Sequence, residues 1–314
     1  MAEWQATASI EMLRHRAQLL ADIRKFFAQR DVLEVETPLL AGSTVTDVHL
    51  KSFRVPGKDQ PLFLQTSPEY AMKRLLASGS GSIYQICKCF RDEEQGRQHN
   101  PEFTMLEWYR SGFTMAQLMD EVEALVAQVL GCASIPRFSY RELFQQHLGI
   151  DPHVVEPSTL ERTAHEHIAI SADKLSDTDH LQLLMNSVIE PRLPDQCFVY
   201  DYPKAQAALA IIESDADGVP VAKRFELYCS GMEVANGYFE LTDAEEQRKR
   251  FEQDQARRNK LGLANVDADE KLLNALEQGL PQCAGVALGV DRLLMAMTGA
   301  DSIEQVIAFP TDHA

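Results

Sequence analysis

Hydrophobic and polar positions along this chain repeat with the two periods that distinguish helices from strands. Apolar side chains near helical spacing predict a helix at residues 9–29, and further helices are predicted at 69–77, 114–131 and 268–279 and in VDRLLMAM near the end. Residues 243–260 predict a charged helix. Apolar runs of strand length occur at 32–38, 62–67, 83–90, 102–110, 197–203, 222–230, 232–240 and 284–289. Strands come in consecutive groups with helices between the groups, so the pattern predicts an α+β fold with an antiparallel sheet flanked by helices.

The middle of the chain, residues 134–195, differs from the rest because it is rich in loops, helical segments and prolines. It reads as a small helical insertion. No internal repeat, low-complexity stretch or Gly/Ser-rich linker divides the sequence. We therefore expect a single catalytic domain that spans 1–314.

Composition narrows the classes of function. The 314 residues are 45% hydrophobic and 25% charged, with a net charge of −17. An acidic surface repels a phosphate backbone, which argues against an extended nucleic-acid footprint. No apolar run reaches the roughly 20 residues of a membrane span, and early charges exclude a signal peptide. We expect a cytoplasmic protein.

Two short sequence patterns contain residue types that bind metals, but neither is interpreted as a metal site. Cys87 and Cys89 lie on one face of a predicted strand, and a C-x-C pair without a second pair is a poor zinc signal. We expect these thiols to be small buried or half-buried side chains in a reducing cytosol. The H-E-H at 165–167 reads as a solvated helix face. P-loop, dinucleotide-binding, nucleophile-elbow and H-E-x-x-H motifs are absent from the sequence.

The first segment that suggests chemistry is a charged loop between two predicted strands. Arg91-Asp92-Glu93 opens the loop, and His99-Asn100 closes it just before Phe103. Arginine neutralises a phosphate, histidine can reach a second phosphate, and phenylalanine stacks on a base. The loop is therefore a candidate nucleotide site, with a solvated charged loop as the alternative.

The second segment carries Glu226, Glu233 and Glu240, each seven residues apart on predicted strands. On adjacent antiparallel strands two of these carboxylates can converge, and paired carboxylates with nucleotide phosphates hold magnesium. A third carboxylate can pair with a substrate ammonium. The alternative is a set of outward-facing side chains, although glutamate is disfavoured in strands.

The third segment runs from Gly285 through Gly289 to Arg292. Glycines within a strand permit a close backbone approach to a ligand, and Arg292 could meet a terminal phosphate from the next helix. The alternative is an ordinary strand-to-helix junction with a solvent-facing ion pair.

Together these segments resemble the motifs of class II aminoacyl-tRNA synthetases. RDVLEVETPLL resembles motif 1, FRDEE with RQHNPEFTMLEWY resembles motif 2, and GVALGVDRLLM resembles motif 3. Within that class the chain is most similar to lysyl-tRNA synthetase, through LFLQTSPEYAMKRLL, HNPEFTMLEWY and RFELYCSGMEVANGYFEL. The resemblance implies the class II catalytic fold, ATP and Mg²⁺, activation of lysine as its adenylate, and a homodimer.

The resemblance departs from lysyl-tRNA synthetase at the N-terminus. About 30 residues precede motif 1 and predict one helix, whereas an anticodon-reading OB-fold needs five strands. A lysine-activating core without that domain resembles the elongation factor P–lysine ligase family. That resemblance implies attachment of lysine or (R)-β-lysine to the ε-amino group of a lysine on elongation factor P, with tRNA binding not expected.

The resemblance also assigns the nucleotide site. Arg91 and Arg292 are the implied catalytic residues, holding the α- and γ-phosphates, and Glu226 and Glu233 are the implied magnesium ligands. The implied ATP-binding residues are Arg91, Asp92, Glu93, His99, Asn100, Phe103, Glu233, Val234, Gly289 and Arg292.

The amino-acid site follows from the same resemblance. Glu69 is implied to take an amino group of the substrate, while Glu240 and Tyr109 grip the distant ε-ammonium. Ala287 stands where lysyl-tRNA synthetases have glycine, and we hypothesise that its methyl group favours a β-amino acid. The implied substrate-binding residues are Ser67, Pro68, Glu69, Glu107, Tyr109, Asn236, Glu240 and Ala287.

Three alternatives stay open at this point. The chain could be a truncated synthetase-like enzyme whose acceptor is tRNA or a small molecule, or a non-catalytic paralogue that senses lysine. The basic stretch at 248–260 could dock an acidic partner, or it could be a solvated helix with Glu/Arg pairs. The base for the transfer step, the acceptor lysine and the preference between α- and β-lysine are not fixed by the sequence.

Overall fold

The computed structural model describes residues 4–170 and 175–314. The helices are α1 Ile10–Ala28, α2 Glu69–Ala77, α3 Met115–Leu130, α4 Tyr140–Leu148, α5 Pro157–His167, α6 Asp177–Leu184, α7 Ala244–Lys260, α8 Glu270–Gly279 and α9 Val290–Thr298. The strands are β1 Leu33–Glu34, β2 Leu40–Ala41, β3 Arg54–Val55, β4 Leu62–Leu64, β5 Ile83–Phe90, β6 Glu102–Ser111, β7 Arg137–Ser139, β8 Gln196–Pro203, β9 Ile212–Ser214, β10 Pro220–Cys229, β11 Met232–Phe239 and β12 Cys283–Gly289. The chain divides into unit 1, Met1–Gly131 with Glu240–Ala314, and unit 2, Cys132–Phe239.

Unit 1 is built on the strand order β1-β5-β6-β12. β5 and β6 form the antiparallel hairpin that the sequence predicts, and β12 runs antiparallel to β6. Trp108 of β6 is fully buried against Phe27 of α1, and Phe27 stacks on Tyr84 of β5 with ring centroids 4.4 Å apart. This aromatic packing fixes the hairpin against the helix.

Helix α2 begins and ends where its sequence requires. Pro68 is the N-cap residue, and its ring blocks helix continuation toward the N-terminus without losing an intrahelical hydrogen bond. The helix buries Tyr70, Met72 and Leu76. Lys73 is buried on the same helix, which amphipathic spacing does not predict for a charged residue.

Unit 2 is built on the order β7-β8-β10-β11, with β9 pairing to β10. β10 and β11 form a hairpin through Ser230 and Gly231, both with positive φ, 52° and 71°. Two-residue hairpin loops of this kind need positive φ at both positions, which the small Ser-Gly pair supplies. The helices α4 to α6 pack their apolar faces on β8 and β10, and Tyr140, Phe144, Leu184, Val199 and Ala222 belong to that core.

The structure refines the predicted sheet. The α+β prediction is confirmed, and the predicted bounds of α2 and β5 match the observed ones. β1 with β5 and β7 with β8 are parallel pairs, which the antiparallel prediction did not include. The predicted strand at 32–38 is reduced to Leu33–Glu34, because Pro38 and its neighbours leave the ladder.

Helix α7 carries the basic stretch. Arg250 pairs with Glu246 of the same helix at 3.0 Å, as the alternative of a helix with Glu/Arg pairs predicts, and Arg248 pairs with Glu270 of α8 at 2.8 Å. Arg258 is buried and donates to the carbonyls of Asp47 and Ala264, each at 2.9 Å. The docking hypothesis is therefore wrong for Arg258, because its guanidinium ties the helix to neighbouring loops of unit 1.

Three further predictions concern the histidines on α5, the cysteines and membrane-spanning helices. The side chains at 165–167 are exposed on α5, as expected. The sulfur atoms of Cys87 and Cys89 lie 3.9 Å apart on one face of β5, and all six cysteines are free thiols. Over the described ranges 4–170 and 175–314, the helices are too short or too polar to span a bilayer.

Candidate active site

Arg91 lies just beyond the end of β5, opposite the start of β6. Its backbone N–H donates to the carbonyl of Pro101 at 2.9 Å, which holds the mouth of the hairpin loop. The guanidinium carbon lies 5.0 Å from the ring centroid of Phe103, and Nη1 lies 3.5 Å from Glu94. Arg91 Nε is buried without a hydrogen-bond partner among the described residues. A guanidinium with a spare buried donor beside an aromatic face suits an anion next to a base.

His99 and Arg292 meet at the other end of the loop. Arg292 Nη2 lies 2.6 Å from His99 Nε2, and Arg292 Nε donates to the carbonyl of Gln98 at 3.4 Å. Burial and the neighbouring guanidinium lower the pKa of His99 below its ordinary value. His99 is therefore neutral near pH 7, and Arg292 supplies the positive charge here.

Three other predicted nucleotide residues are held by the protein itself. Asp92 and Glu93 both pair with Lys51, the former at 2.9 Å, and Glu93 adopts a left-handed φ of 68°. Asn100 donates to the carbonyl of Glu102 at 2.6 Å and accepts from the backbone of Thr311 at 3.0 Å. These contacts shape the loop, and Asn100 ties it to the C-terminal segment.

The predicted amino-acid site forms a buried cluster in unit 1. Glu107 and Tyr109 stand on β6, and the Tyr109 hydroxyl donates to Glu107 Oε1 at 2.7 Å. Ser67 donates to Glu107 Oε2 at 2.7 Å and accepts from the backbone N–H of Glu69 at 3.0 Å, directly after Pro68. Glu107, Tyr109 and Glu240 are each 2% exposed. The prediction that these residues share one pocket is consistent with this geometry.

Lys73 completes the cluster and was missed by the sequence reasoning. Its Nζ lies 2.8 Å from Glu69 Oε1 and 2.6 Å from Glu240 Oε2. The signal was available, since Glu69 and Lys73 are four residues apart on a predicted helix and such pairs face each other. The sequence could not show that the pair points inward toward Glu240.

Burial dominates the electrostatics of the cluster. It raises the pKa of Glu107 to about 8, assisted by the charge of Glu69 and opposed by the hydrogen bonds from Ser67 and Tyr109. Burial also raises the pKa of Glu240, and the Lys73 ammonium works against that rise. Perturbed carboxyl groups with a specific charged partner in one pocket mark a functional site.

Strand β12 closes the pocket with small residues. A Cβ at Gly285 would lie 2.3 Å from the Tyr109 ring and 2.5 Å from Glu240 Oε1, so only glycine fits. Ala287 is the register partner of Glu107 and shares the Gly285 face of the strand. A Cβ at Gly289 would meet only Arg292, at 3.8 Å. Gly285 therefore lets the strand backbone lie close to the side chains of the pocket. At Gly289 there is room for a Cβ atom.

The remaining predicted residues lie in unit 2. Glu226 accepts hydrogen bonds from Tyr202 at 2.7 Å and Tyr228 at 2.6 Å, and it also pairs with Arg224. Asn236 Nδ2 lies 3.5 Å from Glu226 Oε1. Glu233 is the register partner of Tyr228 across the β10–β11 bulge, which places it on the Glu226 face, while Val234 is buried on β11.

The predicted magnesium site depends on the carboxylates of Glu226 and Glu233. The part of the chain that the structure describes brings no three His, Cys, Asp or Glu side chains together as a metal site. A magnesium ion on a nucleotide takes most of its ligands from phosphates and water and needs only one or two carboxylates. Glu226 and Glu233, on one face of the hairpin, fit that smaller demand, although Arg224 occupies Glu226 Oε1.

Comparison with known protein families shows which family the chain belongs to. The model of the class II tRNA synthetases (D, K and N) matches residues 2–313. The chain belongs to this family. The match covers all three motif-like segments, so β5, β6 and β12, which build the cluster around Glu107, are part of a class II synthetase domain.

The chain is also similar to individual curated proteins over its whole length. A protein of Yersinia enterocolitica serotype O:8 / biotype 1B, named elongation factor P–(R)-beta-lysine ligase, is 51% identical over 323 residues, covering 100% of this chain and 99% of the relative. Proteins of the same name from Salmonella paratyphi B and Salmonella enteritidis PT4 are each 50% identical, with the same coverage.

Proposed function

We propose that this class II synthetase-family protein is an ATP-dependent ligase. It activates (R)-β-lysine, or lysine, as an aminoacyl-adenylate and transfers it to the ε-amino group of a lysine on elongation factor P. The observation that carries the proposal is the cluster in unit 1 that joins the half-buried Glu69 to the buried Glu107 and Glu240. Buried carboxylates require cations, and a lysine-type amino acid brings two ammonium groups. The names of the full-length relatives support the acceptor.

Activation needs no general base in this proposal. The substrate carboxylate is already ionised, and one of its oxygens attacks the α-phosphorus while the bond to pyrophosphate breaks. Both reactants are anionic, so the enzyme must neutralise their repulsion and align them. Arg91, with its spare buried donor, and Arg292, beside the neutral His99, supply that charge. Phe103 offers the face on which the adenine stacks.

Magnesium belongs to the same proposal. Glu226 and Glu233 would hold it, and the ion would screen phosphate charge when bound. The two tyrosines that donate to Glu226 Oε2 orient the carboxylate, which is how a second layer of contacts supports a ligand.

Selection of the amino acid follows from the burial of the carboxylates. Glu240 is buried, shares the Lys73 ammonium with Glu69 of helix α2, and lies with the Tyr109 ring beside Gly285. A neutral side chain would leave a buried carboxylate without its cation, which is costly, so such analogues are rejected. Ala287, opposite Glu107, remains our candidate for the preference between β- and α-lysine.

The second step forms an amide. The neutral acceptor amine attacks the activated carboxyl carbon and AMP leaves with the electron pair of the broken C–O bond.

We also propose a cytoplasmic homodimer. The dimer is proposed from the resemblance to motif 1, a segment that forms the dimer interface in this class and that exposes 56% of Leu33 and 42% of Leu40 here.

Amino-acid-dependent ATP–pyrophosphate exchange tests the activation step. We expect exchange with lysine and (R)-β-lysine and none above background with norleucine, which has no distal ammonium. Arg91→Ala should abolish exchange while leaving the thermal midpoint close to that of the wild type. Exchange by no amino acid would favour the alternative of a lysine sensor, and equal exchange with norleucine would contradict the role of the carboxylate cluster.

A further inference from the structure

Lys73 is a buried cation that the proposed chemistry does not use. It is 1% exposed, and its ammonium contacts Glu69 and Glu240 at 2.8 and 2.6 Å. Burial disfavours its charge, yet the carboxylates of Glu240 and Glu69 outweigh burial and raise the pKa of Lys73 above its ordinary value. The core of unit 1 therefore holds a charged ammonium between two carboxylates.

Both partners of Lys73 are residues that the proposed function gives to the substrate. One ammonium bridges them, so it fixes the position of Glu240 relative to Glu69 on helix α2. Glu107 is the third carboxylate, held by Ser67 and Tyr109, and the charge of Glu69 acts on it. When all three are ionised, one ammonium faces three negative charges.

This balance makes the occupant of the pocket predictable. Uncompensated buried charge is costly, so the empty pocket must hold protons on its carboxyl groups or take up cations. An amino acid with two ammonium groups neutralises the cluster, whereas one with a single ammonium leaves a negative charge unmatched. We propose that Lys73 is a specificity-determining residue, whose ammonium makes the pocket electrically complete only for an amino acid with two ammonium groups. This inference rests on the proposed function.

One further titratable group acts on the cluster, since the charge of Cys87 on β5 adds to the rise in the pKa of Glu107. The remaining groups do not change the balance. Burial raises the pKa of Tyr70 and Tyr109 well above the ordinary tyrosine range and raises the pKa of the Cys283 thiol to about 12. All three are neutral near pH 7. Asp269 is satisfied by Ser43 and the first N–H groups of α8. Helix α8 packs on α2 through apolar side chains, and its buried residues are Leu272, Leu273 and Leu276.

The balance has a consequence for protons. Glu107, with a pKa raised to about 8, holds its proton in the empty pocket at pH 7. A substrate with two ammonium groups favours the ionised forms of Glu107 and Glu240, so binding at pH 7 should release about one proton or more. A substrate with one ammonium group should release fewer protons, because one carboxyl group must then stay protonated.

The experiment follows kcat/KM for lysine in pyrophosphate exchange as a function of pH. For the wild type we expect an alkaline rise through about pH 7 to 8, where Glu240 and Glu107 lose their protons, that levels off above this range. Lys73→Met should move the lower part of this rise to higher pH by about one unit or more, because Glu240 loses the ammonium that lowers its pKa. Lys73→Arg should restore the wild-type position. Arg74→Met removes a charge from the exposed neighbour on the same helix and should leave the profile unchanged.

Two results would overturn the proposal. One is a folded Lys73→Met protein, as judged by thermal unfolding, whose profile coincides with that of the wild type. The other needs only the wild type and therefore decides the matter if Lys73→Met does not fold: lysine binding that releases no proton at pH 7, measured by calorimetry in buffers of different ionisation enthalpy. Absence of exchange by the wild type would instead contradict the proposed function, and the proton count would still decide the role of Lys73.

Discussion

Gly285 lacks a side chain because two pocket residues fill the volume beside its Cα. The Tyr109 ring and the Glu240 carboxylate would lie 2.3 and 2.5 Å from an added Cβ, and both are buried. The ring and the carboxylate cannot retreat without leaving the positions that define the pocket. The pocket therefore requires a residue without a side chain at position 285, in addition to its requirement for balanced charge.

Gly285→Ala tests the steric requirement. We expect lysine-dependent exchange to fall at least tenfold and the thermal midpoint to drop, because overpacking a filled core costs about 1–3 kcal/mol. Gly289→Ala is the matched control for stability, since its Cβ would find only Arg292 at 3.8 Å and φ is −74°. A Gly285→Ala protein as stable and active as the wild type would show that the pocket adapts freely.

Glu107 makes stability depend on pH. Its pKa is about 8 in the folded chain against an ordinary value of 4.5. Between these values the folded chain holds a proton that the unfolded chain has lost, so the free energy of unfolding falls as the pH rises. Glu107→Gln should remove a decline of a few kcal/mol between about pH 5 and pH 8. Urea unfolding of the substrate-free protein across this range measures it, and an undiminished decline in the variant would rule out Glu107 as its source.

At the scale of elements, the hairpin β5–β6 and the helix α2 are the parts that place chemistry. Their bounds were predictable because alternation, a proline at the helix start and amphipathic spacing all agree. The inward direction of Lys73 was not predictable, since charged residues are normally assigned to the solvent side of a helix. Neither was the raised pKa of Glu107, because the burial that causes it arises from strands distant in sequence.

Helix α7 gives a prediction at this scale. Arg258 joins the helix to the loops at Asp47 and Ala264 through two hydrogen bonds of 2.9 Å. Arg258→Ala should lower the free energy of unfolding by about 1.5–3 kcal/mol, because charge-assisted hydrogen bonds of a buried group are lost. Lys260→Ala, at an exposed position of the same helix, is the control and should change it little. Equal stabilities in denaturant titration would contradict a structural role for Arg258.

At the scale of the whole molecule, family, acceptor and assembly stand on different grounds. The family follows from a match over residues 2–313, and the sequence motifs alone were enough to predict it. The acceptor is proposed from the relatives' names and from the acidic net charge of −17, which disfavours a large tRNA footprint. The two-unit division was not predictable, because only the segment 134–195 differs in composition while unit 2 also includes β10 and β11.

Assembly can be tested with exposed apolar residues. Leu40→Asp places a charge in the motif 1-like segment and should convert a dimer into a monomer, because burying an unpaired carboxylate in an interface is costly. Val154→Asp, at a position 61% exposed in unit 2, should leave the dimer intact. Light scattering after size-exclusion chromatography gives the mass of each protein. A wild-type monomer, or a dimer that survives Leu40→Asp, would argue against an interface at this segment.

The transfer of an activated lysine to a protein is the central claim, and one labelling experiment tests it most directly. The protein is incubated with ATP, Mg²⁺ and radiolabelled lysine or (R)-β-lysine, with elongation factor P and bulk tRNA in separate tubes. We predict label on elongation factor P and none on tRNA, with the relative rates revealing the preferred amino acid. Label on tRNA alone, or on neither acceptor while pyrophosphate exchange persists, would contradict the proposed ligase.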